Sequence, residues 1–326
     1  TNFVTNITAG VTNVTTNVVA LPATNGGPFV AFATFLPPNL ARARNADADI
    51  DLYVTRDGAG FAPTAPGGAR GLTNLDPQVL SDPRTIRSTN RGGYELFSIT
   101  NSALGEVFYV GIKSEDQQGG TYGFFGAASQ VPFASTNANG VFSVNLFPAP
   151  AIIPAGSPET PGGGVLYGIL PTHVVMSSIA MSNLFVHENL GDLVGTLTHN
   201  GIVITLNNHS AGFGTNPPGG LVTNTLLYDA FRNPPDGPGD VTDLLGQDGV
   251  GLWIFEVYDN TPFQTGSVAY ASLYLVPFTN QYNTNVNEYY RTITLQAGQS
   301  FVDFLDVPSY ATNLDLDIIG GLAGVA

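Results

Sequence analysis

Apolar residues in this chain recur with a period of two, and no segment sustains the 3.6-residue apolar period of an amphipathic helix. The runs "PFVAFATFL", "DIDLYVT", "YELFSIT", "EVFYVGIK" and "TYGFFGAA" are bounded by Gly, Pro, Asn or Asp, as strands are. After "QVPFASTNANG" a second set follows: "VFSVNLF", "VVMSSIAMSNLFV", "DLVGTLT", "IVITLN", "GLWIFEVYD" and "GSVAYASLYLV". Residues 187–206, "HENLGDLVGTLTHNGIVITL", show the pattern plainly: a polar turn, an alternating strand, an Asn-Gly turn and a second strand. With 39 Gly, 23 Pro and 11% charged residues, little of the chain suits a helix. The predicted fold is all-β, as tandem antiparallel β-sandwiches of jelly-roll-like kind.

Charge narrows the partners. The formal net charge is −15, Lys113 is the sole lysine, and seven of the nine arginines lie between Arg42 and Arg91. Between residues 131 and 278 Arg232 is the only strong base, which is consistent with two modules. Nucleic acid and anionic membranes need a basic footprint that this chain lacks. No run of about 18 apolar residues predicts a membrane-spanning helix. Without cysteine there is no disulfide and no thiolate chemistry. Such a chain fits a large bacterial surface protein, secreted or held at the cell surface, and reads as a processed piece whose targeting signal lies elsewhere.

Four segments are expected. Residues 1–27 form a Thr/Asn-rich leader or an edge strand, residues 28–130 a first sandwich, and residues 131–279 a second. Residues 280–326 echo the first sandwich, with "SFVDF" laid on "PFVAF" and "NLDLDI" on "DIDLYV". They read as the opening strands of a further sandwich or as an assembly segment, because a few strands cannot bury a core alone.

Two families are resembled. Asp49, Asp51, Leu52, Tyr53 and Val54, then Glu95, Tyr109, Val110 and Gly120 to Tyr122, resemble the bacterial pre-peptidase C-terminal domain over about residues 28–130. His187, Gly191, Asp192 and Leu193, then Gly251, Leu252 and Trp253, then Asp259, Thr265 and Gly266, resemble the P domain of kexin- and furin-like proteases over about residues 141–278. Tyr270 and Ala271 stand where that family usually reads Trp and Ser. Both resemblances imply β-sandwiches that serve as appendages of secreted enzymes.

Catalytic machinery is not legible. No Gly-x-Ser-x-Gly elbow and no His-Glu-x-x-His occurs, although His173, His187, His199 and His209 fall close together. His187 reads as a turn residue at the hairpin entry, and Trp253 as core. Carboxylates offer calcium instead. Asp47, Asp49 and Asp51 alternate along a predicted strand and so project to one face, with Arg42 and Arg44 as the competing neutralisation. Asp236, Asp240, Asp243 and Asp248 share a Gly-rich loop that suits a cation wanting about six to eight oxygen ligands, or that is simply solvated. Asn6, Asn13 and Asn208 match glycosylation acceptors.

The expected function is therefore a non-catalytic extracellular structural or adhesive protein. It self-associates, or packs on neighbouring modules of a longer polypeptide, through strand addition by residues 280–326 or by the N-terminal Thr/Asn strand. The alternatives are an accessory C-terminal part of a secreted subtilisin-like protease and a carbohydrate-binding module.

Overall fold

The computed structural model describes residues 15–20, 29–35, 49–56, 84–114, 121–212 and 220–278, the first of these by backbone alone. Asp47, Arg42, Arg44, Asn6, Asn13 and the C-terminal echo lie outside the described residues. The chain divides into two compact units, Thr1–Phe278 and Thr279–Ala326. Described strands in chain order are β1 (Thr15–Ala20), β2 (Phe29–Phe35), β3 (Ile50–Thr55), β4 (Ile86–Ser88), β5 (Glu95–Ile99), β6 (Val107–Ser114), β7 (Gly123–Ser129) and β8 (Ala134–Thr136). There follow β9 (Phe142–Asn145), β10 (Ala151–Ile153), β11 (Gly162–Leu170), β12 (Met176–His187), β13 (Leu193–His199) and β14 (Ile202–Asn208), then β15 (Val222–Tyr228), β16 (Gly251–Asp259) and β17 (Gly266–Pro277). Helical backbone among these residues is confined to two 3-10 turns, Leu190–Asp192 and Val241–Leu244.

The strands form four antiparallel sheets, ordered β1-β6-β3-β4, β5-β2-β7, β11-β16-β13-β14 and β15-β12-β17-β9-β8, with β10 also on β17. The all-β expectation holds. Alternation explains the layers, because consecutive side chains point to opposite faces of a strand. Val30, Phe32, Leu52, Val54, Phe108, Val110 and Phe124 fill a core between the first and second sheets. Leu166, Leu197, Trp253, Phe255, Met181, Phe185 and Leu273 fill another between the third and fourth.

The same alternation also joins the two sandwiches. Residues one step out of phase on β2 and β7, namely Ala31, Ala33, Phe35, Phe125 and Ala127, cluster with Ile169, Leu252 and Ile254 of the third sheet. Phe125 meets Tyr167 at 4.6 Å between ring centroids and Phe147 at 6.0 Å. Both faces of the second and third sheets are therefore covered where these residues lie. Strands buried on both faces read as continuous apolar runs rather than strict alternation, and "VAFATF" is such a run.

The anticipated hairpin is β13 and β14. Asn200 and Gly201 both have positive φ, 44° and 83°, as a two-residue turn matched to strand twist requires. A bulge between Gly195 and Thr196 shifts its register.

Candidate functional site

Of the carboxylates proposed as calcium ligands, Asp49, Asp236, Asp240, Asp243 and Asp248 each accept from a backbone N–H group, while Asp51 accepts from a hydroxyl. Asp49 Oδ1 accepts from Gly92 N at 2.8 Å. It immediately precedes β3, which begins at Ile50. That strand's regular backbone starts one residue later than its apolar pattern implied. Asp51 is buried on β3 and accepts from Tyr53 Oη at 2.8 Å. Asp236 Oδ2 accepts from Asn208 N at 2.6 Å and from the Ser210 hydroxyl. Asp240 caps the 3-10 turn at Val241–Leu244: its Oδ1 accepts from Thr242 N at 2.8 Å, while Asp243 Oδ2 accepts from Asp240 N at 2.8 Å. Asp248 Oδ1 takes the amides of Val174 and Val250, and its Oδ2 lies 2.5 Å from His173 Nδ1. No group of three or more His, Asp or Glu side chains with metal-holding geometry occurs among the described residues.

Two buried titratable clusters stand apart from those turns. In the first sandwich Glu95 is 2% exposed, and its Oε2 accepts from the Ser88 hydroxyl and from Asn90 Nδ2 at 3.1 Å. Burial pushes its carboxyl up to about 7, and the neighbouring Asp51 charge adds to that, while the Ser88 bond opposes it.

In the second sandwich His187 ends β12, fully buried, rather than sitting in the hairpin's entry turn. It belongs to the inward phase of β12, with Met181, Asn183 and Phe185, so the period of two carries it into the core. Its Nε2 stands 3.3 Å from Asp259 Oδ2, and Asp259 is also fully buried. Those two atoms and Asp192 Oδ2 are buried without a hydrogen bond among the described residues. Burial raises the Asp259 carboxyl, as does the Asp192 charge, while the Thr261 amide and His187 pull it down. Gly266 closes this pocket: a Cβ there would meet His187 Cδ2 at 2.3 Å. Both side chains are therefore shut off from solvent in this structure.

The remaining histidines are also held. His199 lies flat on Trp253 at 3.8 Å between centroids, with ring nitrogens facing the Leu252 and Asp248 carbonyls at 3.1 and 3.0 Å. Burial holds His199 below its ordinary range. His209 Nδ1 lies 2.8 Å from Gly191 O.

The surface offers more than the interior does. All six strands of the fourth sheet lack Asp, Glu, Lys and Arg, in a chain of net charge −15. Its outer face runs in rows set by register, such as Leu227–Ser182–Ser272–Asn145 and Thr225–Leu184–Tyr270. Leu227, Tyr270 and Tyr274 are exposed on it, and Ser272 Oγ donates to Asn145 Oδ1 at 2.8 Å. The apolar runs predicted β9, β12 and β17 but not β8, β10 or β15, nor the face they share, since each row draws on strands far apart in the chain.

No family model matches the chain, and no curated protein matches it. Three solved structures illustrate the likenesses found. A chain in the complex of the Aeromonas sobria serine protease with its chaperone shares 14% identity and a TM-score of 0.29, over 60% of this chain and 35% of that one. A chain of the T13 IBDV viral particle shares 9% identity and a TM-score of 0.27, over 78% of this chain and 56% of that one. PNGase F, a glycosylasparaginase from Flavobacterium meningosepticum, shares 13% identity and a TM-score of 0.22, over 86% of this chain and 97% of that one. This chain thus spans about a third of the first and just over half of the second. At these TM-scores the likenesses carry no argument about activity. No helix among the described residues is long and apolar enough to cross a membrane.

Proposed function

We propose that this chain is a non-catalytic structural protein of the cell exterior that works by associating with copies of itself. The observation that carries the reading is the fourth sheet, whose six strands hold no charged side chain. Two copies at −15 repel one another, and a contact formed over carboxylates would add unpaired, desolvated charge. A Ser, Thr, Asn and Tyr surface with scattered Leu and Val escapes both costs. It is the kind of face that packs laterally in a layer or filament.

Light scattering and electron microscopy of the purified chain, with calcium and with a chelator, test this. Regular multimers that grow with concentration are expected. Dispersed monomers at every soluble concentration in both conditions would sink the proposal.

A second reading is favoured by one observation. His187, Asp192, Asp259 and Gly266, spread over the P-domain-like pattern, converge at one end of the second sandwich. Under that reading the chain is an accessory module of a secreted subtilisin-like protease. A subtilase domain in the same open reading frame would favour it, and co-purification with that domain would be the biochemical check.

A further inference from the structure

We infer that a second copy of this chain docks on the free edge of β15 by antiparallel strand pairing about a two-fold axis through Thr225. The inference rests on the self-association reading above and names where the contact forms.

The sheet edges of this chain are protected unequally. A bare edge is a row of unpaired N–H and C=O groups, and soluble proteins blunt such edges with Lys, Pro, bulges or a covering loop. β14, the edge of the third sheet, is covered. Thr205 N donates to Pro238 O at 2.9 Å, Gly237 N to Thr205 O at 3.0 Å, and Asp236 N to Leu206 O at 3.3 Å. At the far edge of the fourth sheet β8 is only three residues long. β15 has seven residues, "VTNTLLY", with no Pro, no charge and a regular ladder to β12 from Val222 to Tyr228. Among the described residues no backbone group pairs with its other side, and a side-chain contact there is Asn224 Nδ2 donating to Ala211 O at 2.7 Å.

The ends of this edge are sticky. Leu221, just before β15, is 59% exposed, and Phe231, three residues after it, is 93% exposed. Phe231 is held out by a tight turn, because Asp229 Oδ1 accepts from Phe231 N at 2.8 Å and from Arg232 N at 2.5 Å. Those two amides keep the Asp229 carboxyl below its usual range, so the turn is set at neutral pH.

A second copy fits better than another partner because the strand is self-complementary. With Thr225 opposite its own copy, Thr223 faces Leu227 and Asn224 faces Leu226, so no like charges meet. Phe231 then extends beside Leu221 of the other copy. A seven-residue ladder alone buries less than the roughly 1,200 Å² of a stable interface. The flanking Phe and Leu side chains supply apolar area at both ends. The result is one continuous sheet running through both copies, an isologous contact of the kind a two-fold requires.

The chain has no cysteine, so a single introduced thiol reports cleanly. Thr225→Cys is expected to form a disulfide dimer under mild oxidation, since facing Cα atoms in an antiparallel pair lie about 4.5–5.5 Å apart, within disulfide reach. Thr223→Cys should not, because it faces Leu227. Leu227→Lys should weaken self-association about tenfold, with unchanged Trp253 emission showing that it is folded. If the native chain associates while Thr225→Cys fails to cross-link and Leu227→Lys associates as well as native, this docking edge is wrong and the self-association reading stands. If the native chain stays monomeric at its highest soluble concentration, both fall.

Discussion

At the scale of single residues, the balance between burial and charge decides what each carboxylate does. Burial of Glu95 favours its protonated form, and the Ser88 and Asn90 donors offset that only in part. Its pKa is about 7 in the folded chain against an ordinary 4.5, so the folded state binds the extra proton between those values. The sign follows: the contribution to stability is full below about pH 4.5 and is lost as pH rises through 7, in all about 3 kcal/mol. Glu95→Gln should therefore flatten the fall in melting temperature between pH 5 and 8 that the native chain shows. An equal fall in both proteins would locate the effect elsewhere. Glu95 was legible as part of the first family resemblance, but not as a proton carrier, because its shift comes from burial that only packing creates and from the Asp51 charge.

At the scale of elements, the β13–β14 hairpin shows what local sequence determines. Asn200 and Gly201 adopt positive φ because Asn tolerates that region and Gly enters it freely. Gly201→Ala forces a Cβ into the left-handed region and within 3.2 Å of Tyr94 Oη, at a cost of about 1–2 kcal/mol. Urea unfolding should show a lower midpoint with unchanged slope. The acidic loop shows the opposite case. Four carboxylates in 236–248 read as one cluster by spacing, yet each turn turns its own Asp onto nearby amides: Asp240 and Asp243 cap each other's turn, and Asp248 reaches Val174 from across the fold. Spacing along a chain carries no information on where successive turns point their side chains.

At the scale of the whole unit Thr1–Phe278, the layer between the second and third sheets couples the two sandwiches. Phe125 is its aromatic centre, with Tyr167 and Phe147 against it. Phe125→Ala should cost about 3–5 kcal/mol, and it should do so by loosening this layer. Chemical unfolding followed by Trp253, in the second sandwich, and by circular dichroism coincides in the native chain on this view. The two probes should separate in the variant. Coincident transitions in Phe125→Ala would show that the sandwiches are not coupled here.

The sequence by itself determined the longer apolar strands, the Asn-Gly turn and the all-β class, because a period of two and a left-handed turn are properties of residues a few positions apart. Tertiary structure alone decided that β2 and β16 are buried on both faces. It decided that His187 meets Asp259 from 72 positions away. It also decided that six uncharged strands, drawn from residues 134–277, form one sheet whose β15 edge has no backbone partner among the described residues. Those facts depend on which sheet lies against which, and apolar packing between layers is non-directional, so no local pattern in the chain specifies it.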